Sequence, residues 1–351
     1  MKSQRRPLWH MLFGPPTLIL TAVLAAALCV PGALAGTDEP DFTRSKRPTK
    51  KVVDREFALE AGGQLRIDVD DMDVYVKTHT GGKSRIEVYV SASSEEKALE
   101  WFEQDSGFEL EQSNNELVMS TAGRSRFWGS TWRSVRMWAI VSVPARFNAD
   151  ISTEDGDLRV DDLQGDMTIR TEDGDIDARN LRGPSIDLKT SDGDILAKSL
   201  TADNELVVRS SDGDISGDRF QAKRLAVSTS DGDIGVGHLE GSDIEIRSSD
   251  GNIEAGVSGE ALHADCSDGD IHITLLDAMA VDVKSRDGDI DIVIPQALHV
   301  DIDLRGDDVS VRGGTLKNGN VSRRGVEGSL NDGGPLVRAK SNDGRIVLRL
   351  Q

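Results

Sequence analysis

Pairs of carboxylates separated by one glycine recur along this chain, and clustered carboxylates are the ligands a hard divalent cation takes. The phrase runs from Asp155-Gly156-Asp157-Leu158 to Asp287-Gly288-Asp289-Ile290. Between them, copies centre on Gly174, Gly193, Gly213, Gly232, Gly251 and Gly269, so successive glycines lie 18 to 20 residues apart. If the copies stack in register, equivalent residues lie about 4.8 Å apart. The first aspartates then form one ladder (Asp155, Asp173, Asp192, Asp212, Asp231, Asp250, Asp268, Asp287). The second aspartates form another, through Asp157, Asp175, Asp194, Asp214, Asp233, Asp270 and Asp289, interrupted by Asn252. Candidate Ca²⁺ ligands are Asp173 with Asp175, Asp192 with Asp194, Asp212 with Asp214, and Asp231 with Asp233.

Neighbouring like charges at that spacing repel by roughly 1 kcal/mol in water, and by about half that after physiological screening. Summed over both ladders, this demands an offset. Ca²⁺ is one candidate. The other is internal: Arg170, Lys189, Arg209, Arg247, Lys284 and Lys340 stand three residues before the first Asp and form a basic column. Asp also suits such corners because its carboxylate accepts backbone N–H bonds, while Gly tolerates positive φ. The internal reading is preferred and requires no cofactor; Ca²⁺ is the alternative.

The elements that carry the phrase follow from its flanks. Four residues before the first Asp come Ile151, Ile169, Leu188, Val208, Val227, Ile246, Ala264 and Val283, alternating with polar residues as in a strand with one buried face. Three after it come Leu158, Ile176, Ile195, Ile215, Ile234, Ile253, Ile271 and Ile290, and eight after it Leu163, Leu181, Leu200, Phe220, Leu239 and Leu276. Each unit reads as strand, Asp-Gly corner, short strand, second corner. One unit cannot bury its apolar side alone, whereas stacked units share a continuous core. The expected fold is all-β: a parallel β-solenoid, a single-stranded β-helix of about 19 residues per coil, taken as right-handed. Cys266 stands where other coils carry Thr171, Thr190, Ser210, Thr229, Ser248 and Ser285, and reads as a small buried side chain filling that column.

A second concentration of chemistry lies in Arg124-Ser-Arg126-Phe127-Trp128-Gly-Ser-Thr-Trp132-Arg133, continuing to Arg136 and Trp138. It holds three of the five tryptophans in a chain that is 4% aromatic. Arg124, Arg126, Trp128, Trp132 and Arg133 are candidate ligand-binding residues, since exposed Trp stacks on sugar rings and basic-aromatic loops grip protein partners. The competing reading, which is preferred, is a cap over the open first coil that protects a sheet edge. Just before it, Ser93 with Glu96 has capping-box spacing, which predicts a short helix over 94–104, and Asn114-Asn115 between two alternating runs predicts a hairpin. Catalysis finds little support. His79, His238, His263, His272 and His299 show no metal-ligand spacing, and no hydroxyl sits in a nucleophile motif.

The chain opens with Lys2, Arg5 and Arg6, an apolar run to Val30, and Ala33-Leu34-Ala35, which predicts a signal peptide over 1–35. A retained membrane anchor is the alternative; after cleavage no transmembrane segment is expected. Leu28 before Cys29 argues against lipoprotein processing, and Gln4 and Pro7 fit twin-arginine export poorly. Removal of Lys2, Arg5 and Arg6 moves the formal charge from −20 to −23. So acidic a protein repels nucleic acid and anionic lipid, and attracts divalent cations or basic partners. Only Cys266 is left in the mature chain, which excludes an internal disulfide. The expected organisation is a flexible leader over 36–55, degenerate first coils with the helix and the Trp/Arg-rich insertion over 56–150, and the regular solenoid with a loop-rich last section over 151–351.

Ser-Asp-Gly-Asp-Ile, Thr-Glu-Asp-Gly-Asp and the ending Asn342-Asp343-Gly344-Arg345-Ile346 resemble the bacterial putative-adhesin family of β-strand-repeat envelope proteins, over roughly residues 57–351. The resemblance implies an exported β-solenoid; the function expected of this chain is a non-catalytic adhesin-like or envelope interaction scaffold toward a glycan or a protein, periplasmic or at the cell surface. The alternatives are a Ca²⁺-dependent polysaccharide-active β-helix enzyme and an envelope-stress accessory protein.

Overall fold

Alternation of apolar and polar residues makes strands throughout the residues that the computed structural model describes, 40–81, 83–121 and 135–351. Before the regular repeats come β1 (Thr49–Phe57), β2 (Gly63–Val69), β3 (Met72–His79), β4 (Ser84–Ser91), the helix α1 (Glu95–Asp105), β5 (Phe108–Ser113), β6 (Glu116–Thr121) and β7 (Arg136–Pro144). The repeats supply β8 (Phe147–Thr153), β9 (Leu158–Asp161), β10 (Met167–Arg170), β11 (Ile176–Arg179), β12 (Leu181–Lys189), β13 (Ile195–Arg209), β14 (Ile215–Ser228), β15 (Ile234–Ser248), β16 (Ile253–Cys266), β17 (Ile271–Leu275), β18 (Ala280–Ser285) and β19 (Ile290–Ile294). Beyond them lie β20 (Val300–Arg305), β21 (Asp308–Arg312), β22 (Leu316–Ser322), β23 (Gly325–Leu330), β24 (Leu336–Ser341) and β25 (Arg345–Leu350).

From β8 to β19 each repeat pairs in parallel with the next, and the sequence columns become the registers. Ile176 stands opposite Ile195, which stands opposite Ile215, and so on through Ile234, Ile253 and Ile271 to Ile290. Leu188, Val208, Val227, Ile246, Ala264 and Val283 form the companion ladder. A one-residue slip would turn every apolar side chain outward, so burial of these columns fixes the register. One continuous core cluster results, with Ile186, Leu188, Ile195, Ala197 and Leu200 each fully buried. In β13 to β16 the second corner lies inside one long strand instead of between two short ones, with a register shift between Thr201 and Glu205 where β13 pairs with β14. Leu276 departs from its column and is 44% exposed. Val257 and Leu275, one position earlier in their repeats, face each other in the core instead.

The sheet is mixed. The expectation of uniformly parallel pairing holds over the middle repeats, but β1 with β4, β4 with β7, and β5 with β6 are antiparallel at one end. At the other end β20 with β23 and β22 with β23 are antiparallel. The order of stacking also departs from the order of sequence. The pair β2–β3 lies between β6–β7 and β8–β9. The repeat expected to come last, β24–β25, lies between β18–β19 and β20–β21.

Local signals near the start shift by small amounts. The helix cap is Ser94, whose Oγ accepts from the Lys97 N–H at 3.3 Å, and not Ser93, because α1 begins at Glu95. Ala98 and Trp101 turn its apolar side inward, and the helix packs on β1 and β4. The hairpin forms as expected between β5 and β6, with Asn114 at φ 54°. The leader expected over 36–55 is corrected from Thr49 onward, where β1 pairs along β4. The signal sequence and residues 122–134, with the candidate ligand residues Arg124, Arg126, Trp128, Trp132 and Arg133, lie outside the described residues. Among the described residues no helix is long and apolar enough to cross a membrane.

Candidate functional site

The Asp-Gly-Asp corners form a line along the stack, and three side-chain columns hold it. The first is the Ser/Thr column two residues before the first Asp. Thr171, Thr190, Ser210, Ser248 and Ser341 each donate to the glycine carbonyl of the neighbouring repeat and accept the N–H of their own glycine, while Thr229 makes the first of these bonds and Ser285 the second. Thr190 Oγ1 lies 3.1 Å from the Gly174 oxygen and 3.2 Å from the Gly193 nitrogen. Ser210 does the same toward Gly193 and Gly213, at 3.1 and 3.0 Å. Buried Cys266 keeps the place with a weak thiol contact to the Gly251 oxygen at 3.4 Å. Burial pushes this thiol up, away from the reactive thiolate.

The second column is the glycines, whose role is close approach. A Cβ on Gly193, Gly213 or Gly232 would sit 2.0–2.1 Å from the glycine oxygen of the preceding repeat. Positive φ, the reason expected from sequence, does not apply at these corners.

The third column is the second Asp ladder, and here the offset to repulsion is visible. Asp157 Oδ1 accepts the Asp175 N–H at 3.0 Å, Asp175 accepts from Asp194 at 2.8 Å, Asp194 from Asp214 at 2.8 Å and Asp214 from Asp233 at 2.8 Å. Asn252 continues the chain, taking the Asp270 N–H on its Oδ1 at 3.0 Å. The ladder runs from Asp73, which accepts the Asp157 N–H, to Asp289, which accepts the Arg345 N–H. Asp175, Asp194, Asp214 and Asp233 are thus backbone acceptors. The first-ladder residues Asp173, Asp192, Asp212 and Asp231 are exposed.

Near one end of the first ladder, the Asp155 carboxyl is pushed up by partial burial and then by Asp71. Asp287, beside Asp343, is pushed up by lost hydration and then by that neighbour's hydrogen bond. Among the described residues no three His, Cys, Asp or Glu side chains are grouped to hold a metal ion. Three members of the basic column pair away from the corners: Arg170 with Asp187 at 2.8 Å, Lys284 with Asp282 at 2.8 Å, and Arg247 with Glu245.

A second site, which the sequence reading passed over apart from Trp138, lies on the outward face near the start of the stack. Tyr75, Trp138 and Ile140 alternate with the core residues Val74, Val76, Ala139 and Val141, yet Trp138 is only 3% exposed and Tyr75 7%. Tyr89 stacks on Trp138 with ring centroids 5.5 Å apart. The Tyr75 hydroxyl donates to Asp161 at 2.9 Å, and Arg159 pairs with the same carboxylate while lying 5.1 Å from the Tyr75 ring. Burial opposes the Arg159 charge, but Asp161 outweighs it and holds the guanidinium above its ordinary range. The parity of Tyr75 and Trp138 within their strands was the available signal.

Trp138 and Ile140 lie in β7, the first strand after the Trp/Arg-rich segment in the sequence. Seven residues separate Ile67 from Val74 and Ile151 from Leu158, whereas 20 separate Met119 from Ala139, which occupy the same registers. The link from β6 to β7 is therefore 13 residues longer than the equivalent links. Arg136, where β7 begins, pairs with Asp73 at 3.0 Å.

Solved structures resembling the chain include a putative adhesin from Parabacteroides distasonis, at 14% identity and a TM-score of 0.47, covering 70% of this chain and 98% of that one. Another is a putative adhesin from Parabacteroides merdae, at 11% identity and a TM-score of 0.41, covering 86% and 96%. A third is a putative lipid binding protein from Parabacteroides distasonis, at 12% identity and a TM-score of 0.38, covering 86% and 96%. No curated protein matches the chain. The sequence profile of the Toastrack DUF4097 family matches residues 140–200 and 182–349, which takes in the regular repeats and the interposed last one. With more than half of its length matched, the chain belongs to the Toastrack DUF4097 family.

Proposed function

We propose that this protein is an exported, non-catalytic interaction scaffold of the cell envelope, adhesin-like in using its long regular surface and the insertion over 124–133 to meet a glycan or a protein. The carrying observation is the state of the repeated polar groups. The Ser/Thr hydroxyls and the second-ladder carboxylates are engaged in holding one repeat to the next, as Ser210 and Asp194 are. A catalytic site needs a nucleophile, a base and an orienting group within mutual reach. His238 meets Ser258 at 2.8 Å, and His272 lies 3.6 Å from Asp291 in a different repeat; neither pair lies in a recognised nucleophile motif. The reading takes residues 1–35 as a removed signal peptide and the middle repeats as a right-handed parallel β-solenoid. It places the mature chain in the periplasm or at the cell surface, and no cofactor enters it.

The test is capture from cell-envelope fractions by the mature chain, beside a Trp128→Ala/Trp132→Ala variant. Saturable capture that the double variant loses supports the reading with the insertion as the site. Capture unaffected by the variant moves the site to the regular faces. Failure to capture from any fraction, or reducing ends released from a polysaccharide panel, would overturn the scaffold reading.

A further inference from the structure

The interposed repeat carries a consequence for association. Residues 336–350 fill a slot one repeat wide, and both walls of that slot are built from earlier parts of the chain. On one side β18 meets β24, with Val281 opposite Val337 and Val283 opposite Ala339. On the other, β20 meets the same strand, with Ile302 opposite Val337 and Leu304 opposite Ala339. Strand β25 is held likewise between β19 and β21, with Ile346 opposite both Ile290 and Val309. Parallel pairing on both sides means the repeat enters like an added strand of a sheet.

Each wall has its own support. β18 and β19 rest on β16 and β17, while β20 belongs to an antiparallel unit with β23 and β22. Residues 295–299 join the walls, bridging about two strand spacings, or roughly 10 Å, in place of one. The repeat itself hangs on residues 331–335, Asn-Asp-Gly-Gly-Pro, with Asn331 and Gly333 at positive φ. Its fit is that of any copy of the motif. Val337, Ala339, Ile346 and Leu348 are fully buried, Ser341 Oγ reaches the Gly288 oxygen at 3.0 Å, and the Arg345 N–H reaches Asp289 at 2.7 Å.

We propose that residues 336–350 are an exchangeable strand ligand, and that a second copy of this chain can supply them to the slot. The ligand the slot recognises is a peptide of this repeat pattern, which every other copy carries on the same short tether. Exchange of an identical element between protomers keeps each contact and changes only which chain provides it. The inference stands apart from export and from any ligand at the insertion.

The test uses the full mature chain. Lys284 and Lys340 are exposed and face each other across β18 and β24. In a Cys266→Ser background, one preparation carries Lys284→Cys and another Lys340→Cys; they are mixed, warmed to just below the unfolding midpoint, cooled, and treated with a short bismaleimide. The expected result is a mixed covalent dimer at twice the chain mass. A short tether gives an effective concentration on the order of mM, so near that concentration about half of the chains should be exchanged, about half of those as the mixed form, and well below it the mixed form should fall about tenfold on tenfold dilution. A chain with both cysteines, first cross-linked within itself, should neither donate nor accept the repeat. The inference is overturned if the double variant cross-links internally while the mixture gives no dimer at any concentration. It is equally overturned if the locked chain still forms mixed dimers. Wall closure without the repeat would appear as the first of these results.

Discussion

Replacing Gly213 by alanine tests whether corner contact sets the spacing of the stack. An added Cβ would stand 2.0 Å from the Gly193 oxygen and 2.5 Å from its carbon. Carbon and oxygen tolerate about 3.3 Å, so the corners must part by more than about 1 Å. Three hydrogen bonds cross or brace that contact: Ser210 to the Gly193 oxygen at 3.1 Å, Gly213 N–H to Ser210 at 3.0 Å, and Asp214 N–H to Asp194 at 2.8 Å. Lengthened by 1 Å, such bonds are lost. At about 1 kcal/mol each, with a further 1–3 kcal/mol for the distorted corner, the substitution should cost roughly 4–6 kcal/mol. For a chain of this size that is on the order of 10 °C in midpoint. The assay is thermal unfolding of residues 36–351 followed by circular dichroism, with Gly235→Ala as the matched control. Nothing lies within 4 Å of a Cβ at Gly235, so this second substitution should be neutral within about 1 kcal/mol. If Gly213→Ala melts with the wild type, or if both variants lose the same amount, corner contact does not set the spacing.

Four further outcomes are expected from the same unfolding assay. Thr190→Val preserves shape but leaves the Gly193 N–H without its 3.2 Å acceptor, and should cost about 1–3 kcal/mol; a neutral result would mean the hydroxyl column is incidental. Asp194→Asn should be tolerated, since Asn252 already does this work in its own repeat, whereas Asp194→Ala should lose about 1–2 kcal/mol; equal losses would refute the acceptor role. Asp155 has a carboxyl raised above the ordinary 3.8, so it binds its proton more tightly when folded. Its contribution to stability is present at low pH and is lost as pH rises through the raised folded value. Asp155→Asn should therefore raise the midpoint at pH 7 by roughly 1–3 °C and lose that advantage by about pH 3; a gain that persists in acid would refute the reading. Millimolar Ca²⁺ against chelator should move the midpoint by less than about 2 °C, and a large Ca²⁺-specific rise would assign the ladders to metal instead.

Much of the fold is legible in the sequence because period and alternation carry it. The columns containing Ile195 and Val208 are registers, and no other pairing would bury them. What alternation does not encode is which repeat neighbours which. Val337, Ala339 and Ser341 would suit any slot of the stack, and only the antiparallel unit from β20 to β23 decides that theirs lies between β18 and β20. Small offsets fail for a similar reason. Ser93 and Ser94 are chemically equal as caps, and Leu275 and Leu276 are equal as core residues, until the neighbouring ladder selects one. The outward aromatic patch is half legible: Tyr75 between Val74 and Val76 has the wrong parity for the core, but its partners Trp138 and Arg159 come from distant strands.

The acid ladders are the point on which the competing explanations diverge. Each second-ladder carboxylate accepts the N–H of the next repeat, and a hydrogen bond to a charged group contributes about 1.5–3 kcal/mol. Screened repulsion between neighbours is about 0.5 kcal/mol, so the bond outweighs it at every step without metal. The basic column is then free for other work, and Arg170 and Lys284 pair with Asp187 and Asp282 on the outward face. A carboxylate held by one oxygen still presents the other to water, so the stack carries a fixed line of negative charge along its corners. That line reaches Asp73, where Arg136 at the start of β7 pairs with it. A partner reading the corners must be cationic, because the fixed line of carboxylates repels anions and offers no aromatic face to a sugar ring.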